Sequence, residues 1–171
     1  TDNSQRQSPN GDESGVVCDF EKSDASQVIE LAVALSHVSI ANARENLEVE
    51  LGERNFDEVR QAATAEWDSM LSAVRIEGGT AAEQTMFYTA LFRALTMPTT
   101  FSDVNGDYLG FDKLQHRAEG FQYYTDMSLW DTFRTAHPLY TLLIPKRHRD
   151  MLVSLVLMAT QGGGTLPRWP A

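Results

Sequence analysis

Asn55 with Glu58, and then Thr80 with Glu83, stand three residues apart at the head of apolar runs, and no other feature of the chain constrains its fold as tightly. In such a pair the first side chain accepts from a first-turn amide while the glutamate reaches back to the first residue's own amide, so a helix starts at a defined place. Behind Asn55, the residues Phe56, Val59, Ala63, Trp67, Met70, Leu71 and Val74 recur at three- and four-residue steps; behind Thr80, Met86, Phe87, Leu91, Phe92 and Leu95 do the same. Stripes of that period are helix faces that want burial. Gly78-Gly79 separates the two helices, and Pro98 stops the second because it has no amide to donate. Consecutive amphipathic helices suit a helical bundle or an (α/α) barrel, and the pattern alone does not choose between them.

The flanks are different. Residues 1–15 are polar, with Ser, Gly, Asp and Gln prominent and almost no apolar anchor, the composition of a disordered arm. Val28 to Ser36 is rich in β-branched and aliphatic residues and predicts a strand, followed by a helix over Ser39–Leu51. Val104-Asn-Gly-Asp-Tyr108 holds Asn-Gly, the strongest short hairpin signal, so a small hairpin interrupts the helices. Ser128 is placed as the N-cap of a third helix, with Asp131 near the positive end of its dipole and Pro138 set to end or kink it. Pro145 starts a fourth helix running to about Thr160, closed by Gly162-Gly-Gly164. Its stretch Met151–Ala159 is the longest apolar run, short of the roughly 20 residues that cross a bilayer, and reads as a buried helix.

At 171 residues and 42% hydrophobic content the chain has enough apolar matter for a core, and its net charge of −10 argues against nucleic acid and anionic membranes as partners. Cys18 is the single cysteine, so no internal disulfide forms. There is no Asn-x-Ser/Thr acceptor, nucleophile elbow, phosphate loop or dinucleotide fingerprint. None of the four histidines stands at a metal-ligand spacing with another, so His137 reads as a core residue, and Lys146-Arg147-His148-Arg149 as a solvated face.

Chemistry concentrates in three places. Trp130 and Asp131 are adjacent and project about 100° apart on a helix. An aromatic face beside a carboxylate is one corner of a sugar-binding wall, or else a core tryptophan next to a dipole-stabilising charge. Arg134, one turn on, is placed to orient Asp131 through a charge-assisted hydrogen bond, or to form a surface ion pair. Asp103-Val-Asn105-Gly-Asp107 begins like a calcium loop but has Tyr108 where an EF-hand needs glycine and Leu114 where it needs glutamate. It is a plain turn, or a rim carboxylate with Asp103 as the candidate. Arg168 and Trp169 lie in a Gly-rich, Pro-flanked loop, where irregular backbone often carries function.

Phe101–Tyr108, Tyr123–Pro138 and Leu166-Pro-Arg-Trp-Pro170, in that order, resemble glycoside hydrolase family 92, the calcium-dependent exo-acting α-mannosidases. The likeness runs from about Ser36 to the last residue. It implies a mainly α chain: the end of an N-terminal β-sandwich and a linker helix over 16–54, then the first helices of an (α/α)6-type barrel over 55–171. It also implies a terminal-mannose subsite with Trp130, Asp131, Arg134, Arg168, Trp169 and Asp103 as substrate-binding residues, glycan substrates, and an extracellular or periplasmic setting. In the family a Gly-Asn-Glu-Thr-like run follows the Leu-Pro-Arg-Trp-Pro segment and helps form the calcium and catalytic site. The resemblance therefore describes an internal, inactive fragment, with the calcium ligands and the acid and base of an inverting hydrolysis elsewhere. A non-catalytic helical interaction module, or another (α/α)-barrel carbohydrate enzyme, fits the residue pattern as alternatives.

Overall fold

A computed structural model of the chain describes Phe20 and residues 28–167. The chain divides into two units, Thr1–Leu31 and Ala32–Ala171. In the first, Val28 and Leu31 are 85% and 82% exposed. The second carries all the regular structure among the described residues.

α1 (Ile40–Glu50) starts at Ser39, whose hydroxyl accepts from the Asn42 amide at 3.0 Å. α2 (Phe56–Leu71) and α3 (Ala81–Leu95) start at the two capping boxes, both complete: Asn55 accepts from the Glu58 amide at 3.1 Å and Glu58 from the Asn55 amide at 2.9 Å. Thr80 and Glu83 repeat the exchange at 3.3 and 2.7 Å. The expected strand over Val28–Ser36 is absent, as is any sheet that would end a β-sandwich among the described residues. The propensity is there; among the described residues a neighbouring strand to ladder with is not.

Four short strands follow in two antiparallel pairs. β1 (Thr99–Thr100) lies against β4 (Tyr124–Thr125), and β2 (Asp107–Leu109) against β3 (Gln115–Arg117), with Tyr108 opposite His116. Asn105-Gly106 makes a tight turn, but ahead of β2 and not between the paired strands: the Asp103 amide donates to the Asp107 carbonyl at 2.8 Å and the Gly106 amide to the Asp103 carbonyl at 2.9 Å. The hairpin itself turns at Phe111–Lys113, closed by the Gly110 amide on the Leu114 carbonyl at 2.9 Å. Gly106 has its own reason to be glycine. Its φ is +88°, and a Cβ there would meet the Ala118 carbonyl oxygen at 2.6 Å.

The third helix is broken where one was expected. α4 (Leu129–Thr132) has four residues, and α5 (Ala136–Leu143) begins after a gap. Pro138 does not end a helix; it sits in the first turn of α5, where an amide has no intrahelical acceptor and its loss costs little. α6 (Pro145–Gln161) opens on Pro145, as its sequence predicts.

Tyr108, Tyr123, Tyr124, Met127, Tyr140, Met151, Leu155 and Met158 form the core. The rings of Tyr108 and Tyr123 stack at 3.8 Å and 14°. Ser154, fully buried on α6, accepts from the Tyr124 amide at 3.0 Å and so ties β4 to that helix. The stripes of α2 and α3 fare differently from expectation: α2 buries no residue and α3 only Leu91. Trp67 does meet Phe92, ring centroids 4.3 Å apart.

Candidate functional site

The segment from β4 to α4 carries Trp130 and Asp131, the residues expected to form a sugar-binding wall. Met127 is buried in the core and anchors the chain just before α4, so Trp130, three residues on, stands 46% exposed at the surface. Ser128 occupies the N-cap position without capping: its hydroxyl donates to Asp131 Oδ2 at 2.7 Å. Among the described residues no group donates to Asp131 Oδ1, which leaves an oxygen for an outside hydroxyl. Arg134 does not hold Asp131 as expected. Its guanidinium carbon lies 5.1 Å from the Trp130 ring centroid and 5.2 Å from that of Phe133. The helix breaks after Thr132, so the register that would stack Arg134 over Asp131 is lost, and two aromatic faces attract the cation instead.

Asp103 sits in a different company. It is 8% exposed, and its carboxylate accepts from the Ser36 hydroxyl at 2.7 Å, the Asn42 amide group at 2.9 Å and the Asn46 amide group at 2.7 Å. Asn46 Oδ1 in return accepts from the Val104 amide at 3.0 Å. Asp107 accepts from Asn42, Gln115 and, at 2.7 Å, Arg117, whose guanidinium holds the Asp107 carboxyl below the usual carboxylate range. The Asp103–Asp107 turn is thus a clasp that seats α1 on the hairpin. Its oxygens face N–H and O–H donors, which a calcium ion would have to displace, and the described residues hold no group of three or more His, Cys, Asp or Glu able to bind a metal. Among the described residues, the Asp103–Asp107 turn does not fit a calcium site.

Arg168 and Trp169 lie outside the described residues. Two clefts border other elements. One of about 400 Å3 is lined by Ser102, Asp103, Asn105 and Gln122 among others; one of about 560 Å3 runs between Trp67 and Glu66 on α2 and Arg147 and Asp150 on α6. Neither is lined by Trp130 or Asp131.

A further group escaped the sequence reading. His137 Nδ1 lies 3.0 Å from His148 Nε2, and His148 Nδ1 lies 3.1 Å from the Thr141 hydroxyl. Burial lowers both imidazole pKa values, with the neighbouring His148 adding to the effect on His137. His148 is buried, so the basic run of which it is part is not wholly a solvated face: Arg147 pairs with Glu66 and Arg149 with Asp150. The eleven-residue spacing of the two histidines crosses from α5 to α6 and matches no local ligand pattern.

The model of the glycosyl hydrolase family 92 catalytic domain matches residues 42–171. The chain belongs to this family. Among solved family 92 structures, an α-mannosidase from Bacteroides thetaiotaomicron is 34% identical with a TM-score of 0.74, covering 79% of this chain and 18% of its own. The family member ccman5 is 35% identical with a TM-score of 0.68, over 79% of this chain and 19% of its own. A family 92 inverting mannosidase from Bacteroides thetaiotaomicron is 31% identical with a TM-score of 0.73, over 78% of this chain and 18% of its own. The present family 92 chain spans about a fifth of the length of these structures. The six helices among its described residues match their architecture, as part of an (α/α) barrel would. No curated protein sequence matches it.

Proposed function

We propose that this chain is part of an exo-acting enzyme that removes terminal α-linked mannose from glycans by inverting hydrolysis. The observation that carries the reading is the exposed Trp130 with Arg134 on its ring and the open oxygen of Asp131 beside it, in a chain of family 92. A similar chain, the Bacteroides thetaiotaomicron α-mannosidase, is also known bound to mannoimidazole. Trp130 walls the terminal sugar, Asp131 accepts from its hydroxyls, and Arg134, with Arg168 and Trp169 by family resemblance, completes the surround. Asp103, filled by its clasp, serves the site by holding the scaffold. Inversion calls for an acid and a base roughly 6.5–9.5 Å apart to admit a water. Neither is assigned to a described residue, and calcium, implied by the family, would take its ligands from beyond them. An extracellular or periplasmic setting goes with glycan substrates.

The 171-residue chain alone is expected to release no mannose from an aryl α-mannoside. Release that persists through repurification would overturn the fragment reading. In the complete enzyme, Asp131→Asn should cost on the order of 2–4 kcal/mol of transition-state binding, roughly 30- to 1000-fold in kcat/KM, because an acceptor in the sugar subsite becomes a donor. Folding should shift by no more than about 1 kcal/mol. Near-normal kcat/KM with a clearly lowered melting temperature would make Asp131 a helix-terminal charge and sink the assignment.

A further inference from the structure

The hydrogen-bond chain through Thr141, His148 and His137 has a direction that its distances determine. Thr141 Oγ1 lies 3.0 Å from the His137 carbonyl oxygen. Two oxygens at that separation repel unless a proton lies between them, and only the hydroxyl has one to give. With its proton committed there, the hydroxyl meets His148 Nδ1 at 3.1 Å as an acceptor, so His148 carries its proton on Nδ1. A neutral imidazole has one proton. His148 Nε2 is therefore bare, and the 3.0 Å contact with His137 Nδ1 closes only if His137 donates from Nδ1. That leaves His137 Nε2 without a proton. Among the described residues no group pairs with this nitrogen, and it is not one of the buried polar atoms left without a partner. Tyr140, whose ring stands edge-on to both imidazoles, sends its own proton to the Ala94 and Met97 carbonyls and takes no part.

We propose that His137 Nε2 is a binding position for a hydroxyl donor, an unprotonated lone pair kept open by Thr141 through His148. Isolated neutral imidazole is free to carry its proton on either nitrogen; here a threonine two links away makes the choice, as the partner of a ring's second nitrogen does in other oriented histidines. The arrangement is also reversible as a unit. If the Thr141 acceptor is removed, His148 Nδ1–H loses its buried partner, the proton moves to His148 Nε2 and points at His137 Nδ1, and His137 must then carry its own proton on Nε2. The acceptor becomes a donor with no change at either histidine. The proposal stands whether or not the sugar at Trp130 is mannose.

Long-range 1H–15N spectra of the 171-residue chain at neutral pH read the tautomers directly. Both rings are expected protonated at Nδ1, with His137 Nε2 in the unprotonated region; protonated Nε2 on His137 in the native chain would overturn the proposal without any variant. Thr141→Val should switch both rings to the Nε2–H form, whereas Thr141→Ser, which keeps the hydroxyl, should not. Diethyl pyrocarbonate, which attacks only a bare imidazole nitrogen, should label His137 roughly ten-fold or more slowly in Thr141→Val than in Thr141→Ser, the factor expected when a lone pair is available in at most a tenth of molecules. Equal labelling rates in folded variants would show that Thr141 does not set the state of His137.

Discussion

α6 seals Met151, Ser154, Leu155 and Met158 against the tyrosine stack, whereas α2, a helix of nearly the same length, buries no residue at all. Both are amphipathic by sequence, and α2 has the better start, with its capping box complete. The contrast separates two things that a helical stripe runs together. Caps decide where a helix begins; a facing element decides whether its stripe leaves water. α6 finds α5, β4 and the hairpin within the described chain, while Phe56 on α2 and Met86 on α3 stay 66% and 68% exposed. In an (α/α) barrel such faces pack on neighbouring helices.

That contrast is open to attack from both sides. Met158→Ala, at a residue 1% exposed, should lower unfolding free energy by about 3 kcal/mol in urea titration, the cost of a cavity in a closed core. A loss below about 1 kcal/mol would mean that the α6 side is as loose as the α2 side. Asp103→Ala should cost about 2–3 kcal/mol, since it strands three donors, and the damage should be local. Hydrogen exchange should quicken in α1 and not in α6; uniform quickening would make the clasp part of the core. Thr80→Ala should cost about 1 kcal/mol through the lost cap, even though the helix it starts is mostly exposed. Met86→Ala should stay within about 0.5 kcal/mol while reducing binding of an apolar dye, and a core-sized loss there would refute the contrast outright.

Proton concentration is the gentlest of these handles. Burial depresses His137 and His148 below the ordinary imidazole value of about 6.5, so the folded state binds fewer protons than the unfolded one just below that pH. Their contribution is in place above pH ~6.5 and is lost as pH falls through the depressed values. Melting temperature should accordingly decline on acidification below that point, and more shallowly when His148 is replaced by Gln.

What could be read in advance was local. The caps at Asn55 and Thr80, Pro145 opening α6 and the glycines closing it follow from backbone chemistry within four residues, and they stand where expected. Long-range pairing was illegible. Val28–Ser36 has strand propensity but no partner among the described residues, and Arg134 could be matched with Asp131 only by assuming an unbroken helix. At the candidate site, Trp130 and Asp131 are expected from their types and order, and the structure shows Trp130 half-exposed and Asp131 held by Ser128. The histidine pair could not be expected, because His148 stood inside a basic run and its partner lies on another helix.

The clasp on Asp103 has a consequence in time. Asn46 is the one buried residue of α1, and its carboxylate partner lies 57 residues further along. A ribosome adding about 5–20 residues per second needs roughly 3–11 s to cover that distance. For those seconds α1 has left the exit tunnel without the carboxylate that its one buried side chain docks on. Any chaperone or protease that samples nascent chains meets it unseated, and a pause before Asp103 would lengthen the exposure in direct proportion.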